Sequence, residues 1–147
     1  MSKAATIDRG SHTITFERRL SASREDVFDA WTRPEEVATW WDPTGVPLVR
    51  CEIDARPGGA FRFENNGHSP PFTGMYQLVE RPSKLVFEAF GAVGTVALAV
   101  DGNNTLMRVT MRCASAEHLE QFVMMGIDEN TGRTLDNLVA RVGKLAA

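Results

Sequence analysis

The side chains best able to do chemistry in this 147-residue sequence are its carboxylates, its three histidines and its two cysteines. Glu52, Asp54, Glu64 and Glu88 all fall in segments of strand-like alternation. Glu88 is the most interesting, because it stands between Phe87 and Ala89 in a strand apolar on both faces. Facing inward, it would have its pKa raised by desolvation, as a general acid or base requires. The commoner arrangement for such a residue is solvent-facing or ion-paired. His12, His68 and His118 lie near a strand start, in a proline loop and in a polar helix turn, with no soft ligand at metal-site spacing, so no metal is expected. Cys51 and Cys113 form neither a C-x-x-C nor a zinc-ribbon pattern and read as two reduced core residues. Cys51 also lacks the context that activates a thiol as a nucleophile. Neither phosphate-binding glycine motif occurs, and Pro57-Gly58-Gly59 leads into a strand, which makes it a turn. The residues therefore designate no catalytic group and no cofactor.

The whole-chain properties narrow the partners. Sixteen Lys and Arg against nineteen Asp and Glu leave a net charge of −3 with both signs scattered, which disfavours nucleic acid. The longest uncharged apolar run, Gly91 to Val100, is too short to cross a bilayer, so no membrane insertion is expected. The N-terminus has no apolar signal core and an early Asp8, from which a cytoplasmic location is expected. Size scaling lets a chain of this length bury about 68% of its unfolded surface, enough for one domain without a metal or disulfide staple.

These side chains need elements to position them. Ile14, Phe16 and Leu20 alternate with polar residues, as in a half-buried strand. Ser23 with Asp26 three residues on marks a helix start, and Pro34 opens a second short helix carrying Val37, Trp40 and Trp41. From Leu48 to Cys113 the period is two, in six runs (Val49/Cys51/Ile53, Phe61/Phe63, Phe72 to Val79, Lys84 to Phe90, Thr95 to Val100 and Thr105 to Cys113) separated by turn residues such as Pro57-Gly58-Gly59, Asn66-Gly67 and Asp101-Gly102. Connections that short force antiparallel neighbours. Ser115 begins a helix that Gly126 interrupts. Beyond it Ile127, Thr131, Leu135, Leu138, Val142 and Leu145 form one stripe, with Arg133, Asn137, Arg141 and Lys144 opposite, on a helix about 28 Å long. The expected fold is α+β: a curved seven-stranded antiparallel sheet wrapped around the long C-terminal helix, with two short helices after strand 1. The domain is expected over 11–147, with 1–10 as an N-terminal extension.

Particular residues carry a family resemblance. Ala30-Trp31-Thr32 with Pro34-Glu35, Trp40-Trp41 with Pro43, and Cys51-Glu52-Ile53-Asp54 with Arg56-Pro57-Gly58-Gly59 are followed by Phe72-x-Gly74-x-Tyr76 and Leu85-Val86-Phe87. Gly126-Ile127-Asp128-Glu129 then leads to Leu135-Asp136-x-Leu138. In this order they make the chain similar to the START-like helix-grip superfamily (SRPBCC), in the branch of heat-shock protein 90 ATPase activator homologues. Where that branch usually has Gly-Trp-Ser, this sequence has Asn130-Thr131-Gly132, a small hydroxyl replacing an indole and expected to enlarge and polarise the adjoining space.

The resemblance implies binding of a small hydrophobic molecule between sheet and helix, in a cavity of roughly 300 to 1,000 Å³. The candidate ligand-cavity residues are Trp41, Phe61, Phe63, Tyr76 and Phe87, joined by Met107, Val109 and Met111 on inward strand parity and by Ile127, Thr131 and Leu135 on the helix. The leading expectation is a cytosolic, non-enzymatic domain that sequesters or senses a small apolar or amphipathic ligand. One alternative is a cochaperone-like or stress-response interaction protein; another is an enzyme of the aromatase or cyclase type. A homodimer stays open.

Overall fold

The computed structural model describes residues 5–65 and 71–146, with side chains through residue 143. His68 and the Ser69-Pro70 part of its loop lie outside the described residues. The chain runs β1 (Thr6–Asp8), β2 (Thr13–Leu20), α1 (Arg24–Thr32), α2 (Pro34–Trp40), β3 (Arg50–Ile53), β4 (Ala60–Glu64), β5 (Phe72–Glu80), β6 (Lys84–Ala89), β7 (Ala92–Asp101), β8 (Asn104–Arg112), α3 (Ala116–Met124) and α4 (Ile127–Ala146). One antiparallel sheet has the order β1-β2-β8-β7-β6-β5-β4-β3. The helix-grip architecture is as expected, but with eight strands instead of seven. The extra strand is β1, inside the segment read as an extension; its three residues pair with Thr13 to Thr15 and are too few for a period to show.

Local chemistry explains the boundaries. The Ser23 hydroxyl accepts from the Asp26 amide at 3.1 Å, and Ser115 accepts from His118 at the same distance, so both helices start on a side-chain cap. Pro34 takes the first turn of α2, where its missing N–H costs nothing. Gly126 adopts φ 74° between α3 and α4, the left-handed conformation that ends a helix. β6 stops at Ala89, one residue before its expected end. Phe90 and Gly91 form the hairpin turn at φ 53° and 77°, and β7 starts at Ala92, earlier than the expected Thr95. Glycines and alanines at 92–97 had masked an alternation that burial makes plain.

The core sits on the concave face. Ile14, Phe16 and Leu20 of β2, Val96 and Leu98 of β7 and Met107 and Val109 of β8 are buried there in one cluster with Leu135, Leu138 and Val142 of α4, which lies across β2 while α1 lies across β7 and β8. Arg18 shares the inward parity of β2 and is buried in this face; its Nε donates to Asp136 of α4 at 3.0 Å. Trp40 is 1% exposed, and its indole N–H donates to the Ala30 carbonyl at 3.0 Å, tying α2 to α1. Two of the residues placed opposite the apolar stripe of α4, Asn137 and Arg141, are half-buried. Arg141 forms a two-pronged pair with Glu36 (3.0 and 3.2 Å), and Asn137 donates to backbone carbonyls at the end of α2. Packing a second helix beside α4 recruits that face, which helical periodicity alone cannot foresee.

Glu36 is held below the usual carboxylate range chiefly by its hydrogen bonds from Arg141, and Asp29 chiefly by those from Arg81. Both pKa values are lower folded than unfolded, so their stabilisation is complete above the ordinary carboxylate range and lost as pH falls through the folded values. Unfolding midpoints measured from pH 6 to pH 3 should therefore fall less steeply for Arg81→Met/Arg141→Met than for the wild type. Phe90 is expected to strain its turn, since a bulky residue at positive φ is disfavoured whereas Asn-Gly is preferred in a two-residue hairpin. Phe90→Asn should raise the thermal midpoint by about 2–4 °C, the shift about 1 kcal/mol produces in a chain of this size.

Candidate functional site

The sequence placed aromatic residues on three neighbouring strands and two short helices, and the fold collects them into one box. Its wall is Trp31 of α1, Val37 of α2, Trp41 just beyond α2, Phe61 and Phe63 of β4, Phe72 and Tyr76 of β5, and Leu85 and Phe87 of β6. Trp41 lies 4.8 Å from Phe63 and 4.9 Å from Phe72 between ring centroids, and Phe61 lies 5.1 Å from Phe63 and 5.2 Å from Tyr76. These are ordinary aromatic packing distances. The rings consequently fill their own box, leaving a cavity of about 10 Å³, room for about one water. The several hundred cubic ångströms expected between sheet and helix are not open in this conformation.

Two glycines let the rings lie this deep. Phe61 pairs across the strands with Gly74, and a Cβ there would stand 2.4 Å from the Phe61 ring and 2.2 Å from the Glu88 carbonyl oxygen. Phe87 pairs with Gly94 in the same way, 2.4 Å from where a Cβ would be. Each ring therefore rests on bare backbone, and the alternation of Phe72, Gly74 and Tyr76 was the sequence signal for it.

Five of the eleven candidate residues, Trp41, Phe61, Phe63, Tyr76 and Phe87, meet in this wall. Met107, Val109, Met111, Ile127, Thr131 and Leu135 lie outside it, in the core between β8 and α4 or at its margin. Thr131 is half-buried, with its hydroxyl 3.9 Å from the Met111 sulfur, so the departure from the family pattern falls away from the box. Met107 touches the wall indirectly: its sulfur accepts from the Trp31 indole N–H at 3.4 Å. Trp31, Val37, Phe72 and Leu85 were missing from the candidates. Trp31 follows Val27 at helical spacing and Phe72 shares parity with Tyr76, signals present in the sequence but indistinguishable there from ordinary core.

The ionisable groups stay away from the box. Glu88 is exposed, on the convex face, with Gln77 donating to it at 3.4 Å. Glu52, Asp54 and Glu64 pair with Arg50, Arg56 and Arg62 at the surface. His118 accepts the Ala114 amide on Nδ1 at 2.9 Å and meets Phe122 edge to face. No group of His, Cys, Asp and Glu among the described residues is arranged to hold a metal. Tyr76, 3% exposed, brings the one hydroxyl in the wall; no described residue hydrogen-bonds it, and burial pushes its pKa up, which keeps it a neutral phenol. The box thus offers a dry aromatic surface and one neutral hydrogen-bonding group.

Cys51 is half-buried on β3, opposite Phe63. Burial first, then the charges of Glu35 and Glu52, push its thiol up to about 11 from 9.0. Two units leave about a hundredfold less thiolate at pH 8 than an unperturbed thiol has. Alkylation by iodoacetamide should be correspondingly slow in the native protein and climb until about pH 11, with denaturant abolishing the difference; fast labelling of the native protein at pH 7 would contradict this.

Comparison with known proteins bears on fold and family. A crystal structure of a Rhodobacter sphaeroides protein has a TM-score of 0.83 at 21% identity, covering 96% of this chain and 99% of that one. A Mycobacterium smegmatis protein gives 0.82 at 18% identity, with 99% of both chains covered. The solution structure of an Arthrobacter aurescens protein gives 0.83 at 18% identity, covering 98% of this chain and 93% of that one. At such identities the likeness is one of fold. No curated protein matches the sequence. Residues 21–143, from just before α1 into the last turns of α4, match the description Activator of Hsp90 ATPase homolog 1-like protein, and with this helix-grip fold the chain belongs to that family.

Proposed function

We propose that the domain binds a small, uncharged aromatic or apolar molecule in the box, acting as a binder and not as a catalyst. The observation that carries this reading is the composition of the wall: apolar side chains, most of them aromatic, around the single hydroxyl of Tyr76. Such a surface favours flat apolar ligands through burial and ring contact. A carboxylate brought into it would be desolvated with no cation in the wall to pair with, a cost of several kcal/mol. Catalysis of the aromatase or cyclase type needs a proton donor and acceptor at the reacting atoms, and the wall supplies only a phenol held neutral. The family description raises activation of an Hsp90 ATPase as the alternative; function does not follow from fold alone, and no described feature of this chain favours that partner. Because the box is filled in the closed conformation, uptake requires part of its wall to move.

Titration with naphthalene and with 1-naphthol, which differ by one hydroxyl, tests the reading. Both should bind saturably. Tyr76→Phe should weaken 1-naphthol about fivefold, the effect of one neutral hydrogen bond, and leave naphthalene unchanged. Failure of either probe to bind, or equal effects of Tyr76→Phe on both, would overturn the assignment.

A further inference from the structure

The box needs a moving part, and the end of α2 has the construction of one. Trp40 is fixed, fully buried and hydrogen-bonded to Ala30. Leu48 is fixed too, its amide donating to the Ala38 carbonyl at 2.9 Å. Between these anchors run Trp41 to Pro47, in which Asp42 is buried and Thr44 to Pro47 are exposed, with a turn at Gly45 (φ 83°) around which nothing lies within 4 Å of a would-be Cβ. Trp41 is half-buried and covers Phe63 and Phe72. The segment is therefore a flap hinged at both ends, whose indole is part of the box wall.

What holds the flap shut comes from another helix. The last carbonyls of a helix have no partner within it; in α2 that of Ala38 accepts from Leu48, and that of Asp42 just beyond the helix accepts from Gly45, whereas those of Trp40 and Trp41 face α4. α4 satisfies them. Thr134 donates its hydroxyl to the Trp41 carbonyl at 2.8 Å, and Asn137 donates its amide to the Asp42 carbonyl at 3.0 Å and more weakly to that of Trp40 at 3.4 Å. These are neutral bonds to groups that water can satisfy once the flap lifts. α2 itself is held differently, by the Glu36–Arg141 ion pair at its first turn and by Trp40 at its last, which keeps the helix in place while Trp41 and the segment after it move.

We propose that Thr134 and Asn137 are the latch of a flap, Trp41–Pro47, whose release opens the aromatic box; the ligand part of this rests on the binding reading above. The two residues set the population of the open state and so the apparent affinity, while touching no ligand themselves.

Hydrogen exchange of the Trp41 amide, which donates to the Val37 carbonyl of α2 at 3.1 Å while the flap is closed, together with stopped-flow uptake of 1-naphthol, tests the latch. Thr134→Val, which keeps shape and removes the hydroxyl, and Asn137→Ala should each speed flap exchange and uptake about fivefold, the effect of one neutral hydrogen bond. Amides of β7 and β8 should keep wild-type protection. Thr134→Ser, restoring the hydroxyl, should return both readouts to wild type, and Thr131→Val, one turn away on α4, should change neither. Flap exchange unaltered in both latch variants, or a uniform loss of protection that Thr134→Ser does not reverse, would overturn the latch whatever the box binds. Faster flap exchange with no naphthol uptake in any form would overturn the binding reading and leave the latch standing.

Discussion

The packing of α4 into the concave face of the sheet is the constraint on which the other features depend. Eight antiparallel strands present one continuous apolar face, and no other element is long enough to cover it. Leu138 is wholly inaccessible and Leu135 nearly so. Burying a leucine is worth about 1.5–3 kcal/mol, so α4 cannot be displaced cheaply, and α1, α2 and α3 are all packed against it. α2 sits where Arg141, Asn137 and Thr134 can reach it, and the inward Arg18 is paired with Asp136 of the same α4.

The box lies at the other end of the concavity, where α4 gives way to α1 and α2. Its closure follows from ring packing. A filled aromatic cluster gains dispersion and burial that an empty cavity of the same wall would forfeit. Gly74 and Gly94 let Phe61 and Phe87 settle onto the backbone and add to the closure. A binder built this way exchanges its own ring contacts for those of a ligand, so its affinity depends on the balance between two packed states and not on the size of a preformed hole.

Charge is sorted by face. The strand carboxylates project from the convex side into arginine pairs, worth little individually at such exposure. Asp29 and Glu36 anchor the short helices through Arg81 and Arg141. The ionisable group in the wall of the box, Tyr76, is kept neutral at physiological pH by burial, and burial shifts the thiol of Cys51, outside the wall on β3, in the same direction.

Several features were legible in the residues alone because they are local. Helix starts at Ser23, Pro34 and Ser115, the break at Gly126, the inward parity of Phe61, Phe63 and Tyr76 and the α4 stripe each follow from capping, φ preference or period within a few residues of chain. The short pairing β1 was not, since three residues carry no period. Nor was the division of the candidate residues into a box and a separate core beneath α4: Met107 and Phe63 have the same inward parity, and only the curvature of the sheet decides which helix each one meets. The roles of Thr134 and Asn137 lay furthest out of reach. The amphipathic pattern of one helix states which side is apolar, but the carbonyls these residues bind belong to a helix nearly a hundred positions earlier in the chain, and only the tertiary fold brings the two together.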